Sequence, residues 1–169
     1  GMGTVALPEM RQGRVFVSFA TLLARCTGRQ AAGIDYSSVA QAHAVAKGQL
    51  AYYRALEKAG HVRVIENASQ LAAHQQEWQQ WDAAHADESP QTPPLGFVIS
   101  MEGADPISTP DELAEWHALG LRLIGPAHYG PNRYAGSTGT ELPLTDGIGP
   151  QLLREMRRLG MGMDCTHLS

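Results

Sequence analysis

The run Leu95-Gly-Phe-Val-Ile-Ser-Met101 constrains this chain more than any other stretch. It is a nearly continuous apolar segment of strand length, with no apolar–polar alternation. Such a strand has both faces covered, which is the habit of parallel sheets flanked by helices. The residues that follow agree. Thr109-Pro-Asp-Glu112 is a helix start: Thr109 can cap, Pro110 suits the first helical position, and Glu112 can close a capping box. Leu113, Trp116 and Leu119 give that helix an apolar face, and Gly120 ends it. Leu121-Arg-Leu-Ile124 is the next strand, and residues 125–149 form a glycine-rich loop. Pro150 opens a helix with Leu152, Leu153, Met156 and Leu159 inward, Gly160 stops it, and residues 161–165 make a last short strand. This alternation predicts a parallel α/β architecture.

The first half carries weaker signals. Residues 14–20 read as a strand after the turn-forming Gln12 and Gly13, and residues 26–33 as a loop. A helix is expected over 37–59, where Val39, Ala42, Ala46, Leu50, Tyr53 and Leu56 recur at helical spacing before Gly60. Residues 62–65 are a short strand or an extended link. Asn67 or Ser69 caps a further helix with Leu71, His74, Trp78, Trp81 and His85 on one face. The segment Ser89-Pro-Gln-Thr-Pro-Pro94 reads as a loop within a domain, and Gly1 before Met2 as a scar of tag removal.

Composition narrows the function classes. The 169 residues amount to one domain, spanning 1–169, and can bury a sizeable core. Net charge is −4 and no Lys/Arg cluster exceeds a pair, which argues against a nucleic-acid partner. Cys26 and Cys165 form neither a disulfide framework nor a zinc-finger spacing. No apolar run approaches the ~20 residues of a membrane-spanning helix. Nothing resembles a signal peptide, so the compartment stays open, with the cytoplasm favoured.

Three residues stand at equivalent places. Glu102 follows the strand ending at Met101, His128 lies past Ile124, and His167 follows the strand over 161–165. In a β/α barrel, residues just beyond the strand C-termini line one mouth, where active sites sit. A carboxylate and two imidazoles there suit zinc or another transition metal. Each alone is commonly a solvated loop residue; their recurrence at three strand ends singles them out. His43, His61, His74, His85 and His117 lie in or beside helices and are read as structural, as are Trp78 and Trp81. Asp105 and Asp164 are weaker polar candidates, the latter suited to a hydrogen bond inside the barrel or to orienting a neighbour. The glycines of the 125–149 loop lack phosphate-loop spacing, which argues against nucleotide binding.

At these residues the chain resembles the membrane (renal) dipeptidases, zinc peptidases among the amidohydrolase-like barrels. Arg154-Glu-Met-Arg-Arg158 with Leu159-Gly-Met-Gly-Met-Asp-Cys-Thr-His-Leu-Ser169 is similar to their REMNRLGM-x-x-D-x-S-H-x-S segment. Met101-Glu-Gly-Ala-Asp105 resembles the x-E-G strand end. Residues 119–128, with Asn132 nearby, resemble the L-G-x-R-x-x-x-L-T-H…N strand. Residues 144–149 resemble G-L-T-x-x-G, and residues 7–19 resemble L-P-x-L-R-x-G-x-V-G-x-Q-F. The five motifs are collinear and touch nearly the whole chain.

The resemblance implies a partial TIM-type (β/α) barrel, roughly its second to fifth strands with their helices. It implies zinc-dependent hydrolysis of small dipeptides. Glu102 matches the carboxylate that bridges two zinc ions, and His167 a histidine ligand of one of them. His128 matches the non-ligand histidine that binds substrate and stabilises the tetrahedral intermediate, with Asn132 beside it on the substrate side. One departure is large: the family's first strand ends in H-x-D, and no expected strand here does, the one such triplet, His85-Ala-Asp87, following a helix. The chain is therefore expected to be an interior piece of the barrel, to bind divalent metal weakly and to be inactive alone. A half-barrel leaves strand edges that a second copy, as a homodimer, or a longer chain would cover. Two other readings remain: a non-catalytic half-barrel serving as a folding or interaction unit, and a metal-dependent amidohydrolase acting on cyclic amides.

Overall fold

Five strands form one all-parallel sheet in the computed structural model, which describes residues 5–28, 33–84 and 92–169. Gly1, His85 and the start of the proline-rich loop lie outside the described residues, as does the middle of the loop expected over 26–33. The strands are β1 (Val17–Leu22), β2 (Val62–Val64), β3 (Leu95–Glu102), β4 (Leu121–Gly125) and β5 (Gly162–Met163). The helices are α1 (Leu7–Gln12), α2 (Val39–Lys58), α3 (Ala68–Ala84), α4 (Leu113–Ala118) and α5 (Ile148–Leu159).

The apolar run at residue 95 is the spine. β1 pairs with β3 from Gly96 to Met101, so it occupies one whole edge. β2 pairs with Leu95–Phe97 and β4 with Ile99–Glu102, so these two share the opposite edge end to end. β5 extends the sheet beyond β4. The path β1-β3-β4-β5 is an open, four-strand arc with β2 beside it: a partial β/α barrel. Because every pairing is parallel, all five strands end on the same side.

Helices cover one face. α2 lays Ala42, Ala46 and Leu50 against β1 and β2, and its Tyr53 hydroxyl donates to the Thr21 carbonyl at 2.9 Å. α4 and α5 pack on each other, burying Leu113, Trp116, Leu152 and Met156. Each large apolar side chain buried this way contributes ~1.5–3 kcal/mol relative to exposure. The other face of the arc is open: Phe19 is 63% exposed, and Thr21 and Ser100 exchange a hydrogen bond of 3.0 Å across it. No helix among the described residues is long and apolar enough to cross a membrane.

Several boundaries differ from the sequence expectation. β1 starts three residues later than expected, because the short helix α1 and a turn through Arg14, at φ 51°, use the preceding residues. β5 keeps only two residues, since the Asp164 carboxylate captures the Thr166 N–H at 2.9 Å and turns the chain. Thr109 makes no side-chain cap. Glu112 instead accepts from the Ser108 N–H at 3.1 Å, and residues Pro110–Glu112 wind as a 3₁₀ turn before α4. Asn67, not Ser69, caps α3 by accepting from the Gln70 N–H at 2.9 Å. Leu71 and Leu119, expected on apolar faces, are 38% and 37% exposed. α5 begins two residues before Pro150.

Candidate metal centre

The parallel sheet delivers three strand ends to one mouth, and the loops there are stitched together. β3 finishes at Glu102, and Gly103 follows at φ 83°, a left-handed conformation that favours glycine. A Cβ at Gly103 would sit 3.4 Å from the His128 Cβ, so this turn lies directly against the next loop. Beyond the strands, the Gly103 N–H donates to the Gly125 carbonyl at 3.1 Å and the Ala104 N–H to that of Pro126 at 3.4 Å. These bonds continue the β3–β4 pairing and carry His128 toward Glu102.

His128 is set by Asn132. The Asn132 Oδ1 accepts from the His128 N–H at 3.2 Å, and its Nδ2 donates to the carbonyls of His128 at 2.7 Å and Gly130 at 2.8 Å. Both ends of the Asn132 amide are thus engaged with the loop backbone. His167 stands after the Asp164–Thr166 turn, and its carbonyl accepts from the Thr138 N–H at 2.7 Å. The 125–149 loop therefore grips both histidine segments.

The three side chains converge. His167 Nε2 lies 2.8 Å from Glu102 Oε1, and His128 Nε2 lies 3.5 Å from the same oxygen. The two imidazole centroids are 4.5 Å apart. One ligand atom from each residue fits within a mutual distance of 4.8 Å, and this is the one such group of three among the described residues. Asp105 and Asp164 are not part of it. His43 contacts the Pro106 carbonyl and the Trp116 ring, and His74 is fully buried at the far end of the strands.

Burial pushes the His128 imidazole below its ordinary value, and the charges of His167 and Arg25 push the same way against the opposing pull of Glu102. The ring is thereby favoured in its neutral form, with one N–H. Its Nδ1 is buried without a hydrogen-bond partner among the described residues, while its Nε2 faces the Glu102 carboxylate. The Asp164 carboxyl is held below its usual range, first by the Thr166 hydroxyl and then by the Thr166 N–H. Asp164 thus serves the turn that presents His167.

A carboxylate oxygen with two imidazole nitrogens around it is a donor set for a zinc-type cation. The residues fit such an ion in kind. In number, they make three donors where a closed tetrahedral site takes four, or an open one three and water. Sequence reasoning missed Tyr129, whose ring lies 4.6 Å from that of His167 and 5.0 Å from that of His128. It also missed Arg25, whose Nη2 donates to the Tyr129 carbonyl at 2.7 Å. Tyr129 adjoins a motif histidine, which is a usable signal. Arg25 sits in irregular chain after β1 and carries none.

An open parallel β/α arc with a carboxylate and histidines at the strand C-termini defines a protein of the barrel class with residues that could hold a metal ion. The chain belongs to the membrane dipeptidase family, peptidase family M19, whose family model matches residues 1–169. Dipeptidase tcpJ of Claviceps purpurea (strain 20.1) is 35% identical over 81 residues, which cover 44% of this chain and 19% of tcpJ. Among solved structures, the metallopeptidase dipeptidase AC superposes with a TM-score of 0.72 at 26% identity, over 100% of this chain and 48% of its own. The probable dipeptidase PvdM of Pseudomonas aeruginosa reaches 0.70 at 18% identity, over 100% of this chain and 41% of its own, a likeness of fold. The chain thus spans about half the length of these solved relatives, and the family and fold expected from the motifs are borne out.

Proposed function

We propose that this chain supplies one side of the mouth of a zinc-dependent dipeptidase that hydrolyses small dipeptides. The observation that carries the reading is the convergence of His167 Nε2 and His128 Nε2 on the single oxygen Oε1 of Glu102. Glu102 and His167 would hold the zinc, Glu102 through its carboxylate and His167 through an imidazole nitrogen. When bound, zinc supplies Lewis acidity toward the peptide carbonyl and an activated water. His128, kept neutral by burial, offers an Nε2–H to the oxyanion that develops on the substrate. Asn132 holds the His128 loop through its backbone bonds. Tyr129 borders the site, 52% exposed, with its ring edge-on to His128 and tilted against His167.

The donor count sets the expected strength. Glu102 and His167 are two ligands of a two-ion site, and none of the described strands ends in an H-x-D that would add a further pair. By itself the 169-residue chain is expected to bind zinc weakly and to turn over dipeptides poorly. Zinc titration by calorimetry, with dipeptide hydrolysis on the same sample, tests this. Tight stoichiometric binding with rapid hydrolysis would overturn the ligand count; no zinc response, and no loss on Glu102→Gln, would overturn the site. The outer edges of β1 and β5 are unpaired among the described residues, and a second copy adding to them would make a homodimer. A monomer by light scattering at high concentration removes that possibility.

A further inference from the structure

A carboxylate that takes no part in the metal group lies between the loops that carry it. Asp105, three residues beyond Glu102, is fully buried. Its Oδ2 accepts from the Cys26 N–H at 2.8 Å, in the segment after β1. Its Oδ1 accepts from the Arg133 N–H at 3.1 Å, in the loop after β4. One side chain therefore joins three strand-end segments that are 79 and 28 residues apart in sequence.

The contacts around it reinforce the same junction. The Arg133 guanidinium donates to the carbonyls of Ile107 at 2.6 Å and Ser108 at 3.0 Å, and the Tyr134 hydroxyl to that of Ile107 at 2.8 Å. On the other side, Arg25 precedes Cys26 and donates to the Tyr129 carbonyl. His128 lies between these two anchors and is braced by Asn132, the neighbour of Arg133. Burying a carboxylate with two backbone donors as its partners carries a desolvation cost that an apolar side chain would avoid. The return on that cost is geometric: two fixed acceptor positions aimed at two different loops.

We propose that Asp105 is a positioning residue: by clamping the loop after β4 to the end of β3, it sets the approach of the His128 ring to Glu102 and His167. This rests on the reading of those residues as the site, but its test does not require zinc or turnover. The chain is labelled at histidine, and nuclear Overhauser contacts between the His128 and His167 rings are recorded for the unsubstituted protein, Asp105→Asn and Asp105→Leu. His74, fully buried at the opposite end of the strands against Phe16 and Trp78, reports the integrity of the fold.

The expected result is a weakened His128–His167 contact in Asp105→Asn, which keeps one acceptor, and its loss in Asp105→Leu, which keeps none. The ring-current-shifted His74 signals stay in place in both. An unchanged contact in both variants overturns the proposal. So does its absence from the unsubstituted chain, or a collapse of the His74 signals along with it, which would make Asp105 a support of the whole fold. A chain that binds no zinc but shows the split between mouth and far end would defeat the dipeptidase reading and leave this one standing.

Discussion

His74 and His128 are both histidines packed among aromatic rings, and the molecule treats them in opposite ways. His74, at the N-terminal end of the strands, is fully buried with both nitrogens engaged. Its Nε2 donates to the Phe16 carbonyl at 2.6 Å, and its Nδ1 accepts from Arg63 Nη1 at 3.1 Å, with Glu77 holding that guanidinium at 2.6 Å. One tautomer satisfies both contacts. His128, at the C-terminal mouth, has an unpartnered buried Nδ1 and shares a carboxylate oxygen with His167. A satisfied polar group stabilises the fold modestly and is costly to disrupt. An unsatisfied one is a standing cost that the native state tolerates where a ligand completes it. The floor is built for stability and the mouth for binding, which is the usual division in β/α barrels.

The largest effect should come from breaking the floor. His74→Ala removes a buried ring and leaves the Phe16 carbonyl and the Arg63 donor without it, at a cost of about 3 kcal/mol of unfolding free energy. Urea denaturation measures this, and a loss as small as that of a surface substitution would erase the contrast. Gly96→Ala attacks the same place from the backbone. A Cβ there would meet His74 Nε2 at 2.7 Å and Ile65 Cδ1 at 2.8 Å, both side-chain atoms inside the packed floor. Overpacking of this kind costs about 2 kcal/mol.

At the mouth the balance should invert. Glu102→Gln keeps the size of a side chain that is 32% exposed and removes the charge both imidazoles face. Its stability should change by less than about 0.5 kcal/mol, as for most partly exposed substitutions. Divalent cation affinity should fall at least about tenfold, since the shared donor is gone. Calorimetric zinc titration beside a denaturant melt reads both quantities. A large stability loss with unaltered affinity would place Glu102 with the floor.

Legibility in the sequence followed the same division of labour. The apolar run at Leu95 and the helix stops at Gly60, Gly120 and Gly160 announce the parallel layers, because burial and backbone handedness act locally and leave a periodic trace. Glu102, His128 and His167 were readable because each lies just past a strand end, and a parallel sheet must bring such positions together. The ties between loops were not readable. The Asp105 carboxylate meets Cys26 and Arg133 across gaps in sequence that no periodicity marks. The capping box at Thr109 failed for a related reason. Glu112 found the Ser108 N–H in a 3₁₀ turn, a local choice that propensity alone does not decide. Leu71 and Leu119 were assigned inward by spacing, yet tertiary packing left them at the rim.

The smallest effect is a pH dependence that belongs to the clamp at the mouth. Burial holds the Asp105 carboxyl above its ordinary value, against the lowering pull of the Cys26 and Arg133 N–H groups. In the unfolded chain the same carboxyl titrates near ~3.9. The folded state therefore binds this proton more tightly than the unfolded state does. Stability from this group is fully present below the unfolded value and is lost as pH rises through the folded one. Asp105→Asn removes the titration while keeping the shape, so the difference in melting temperature between it and the unsubstituted chain should narrow as pH rises from about 4 toward neutrality. The unsubstituted chain holds its advantage in acid, where its carboxyl is protonated, and gives part of it up as the buried charge forms. A difference that widens with pH would mean that the two backbone donors outweigh desolvation, and that the clamp at the mouth is at its strongest when charged.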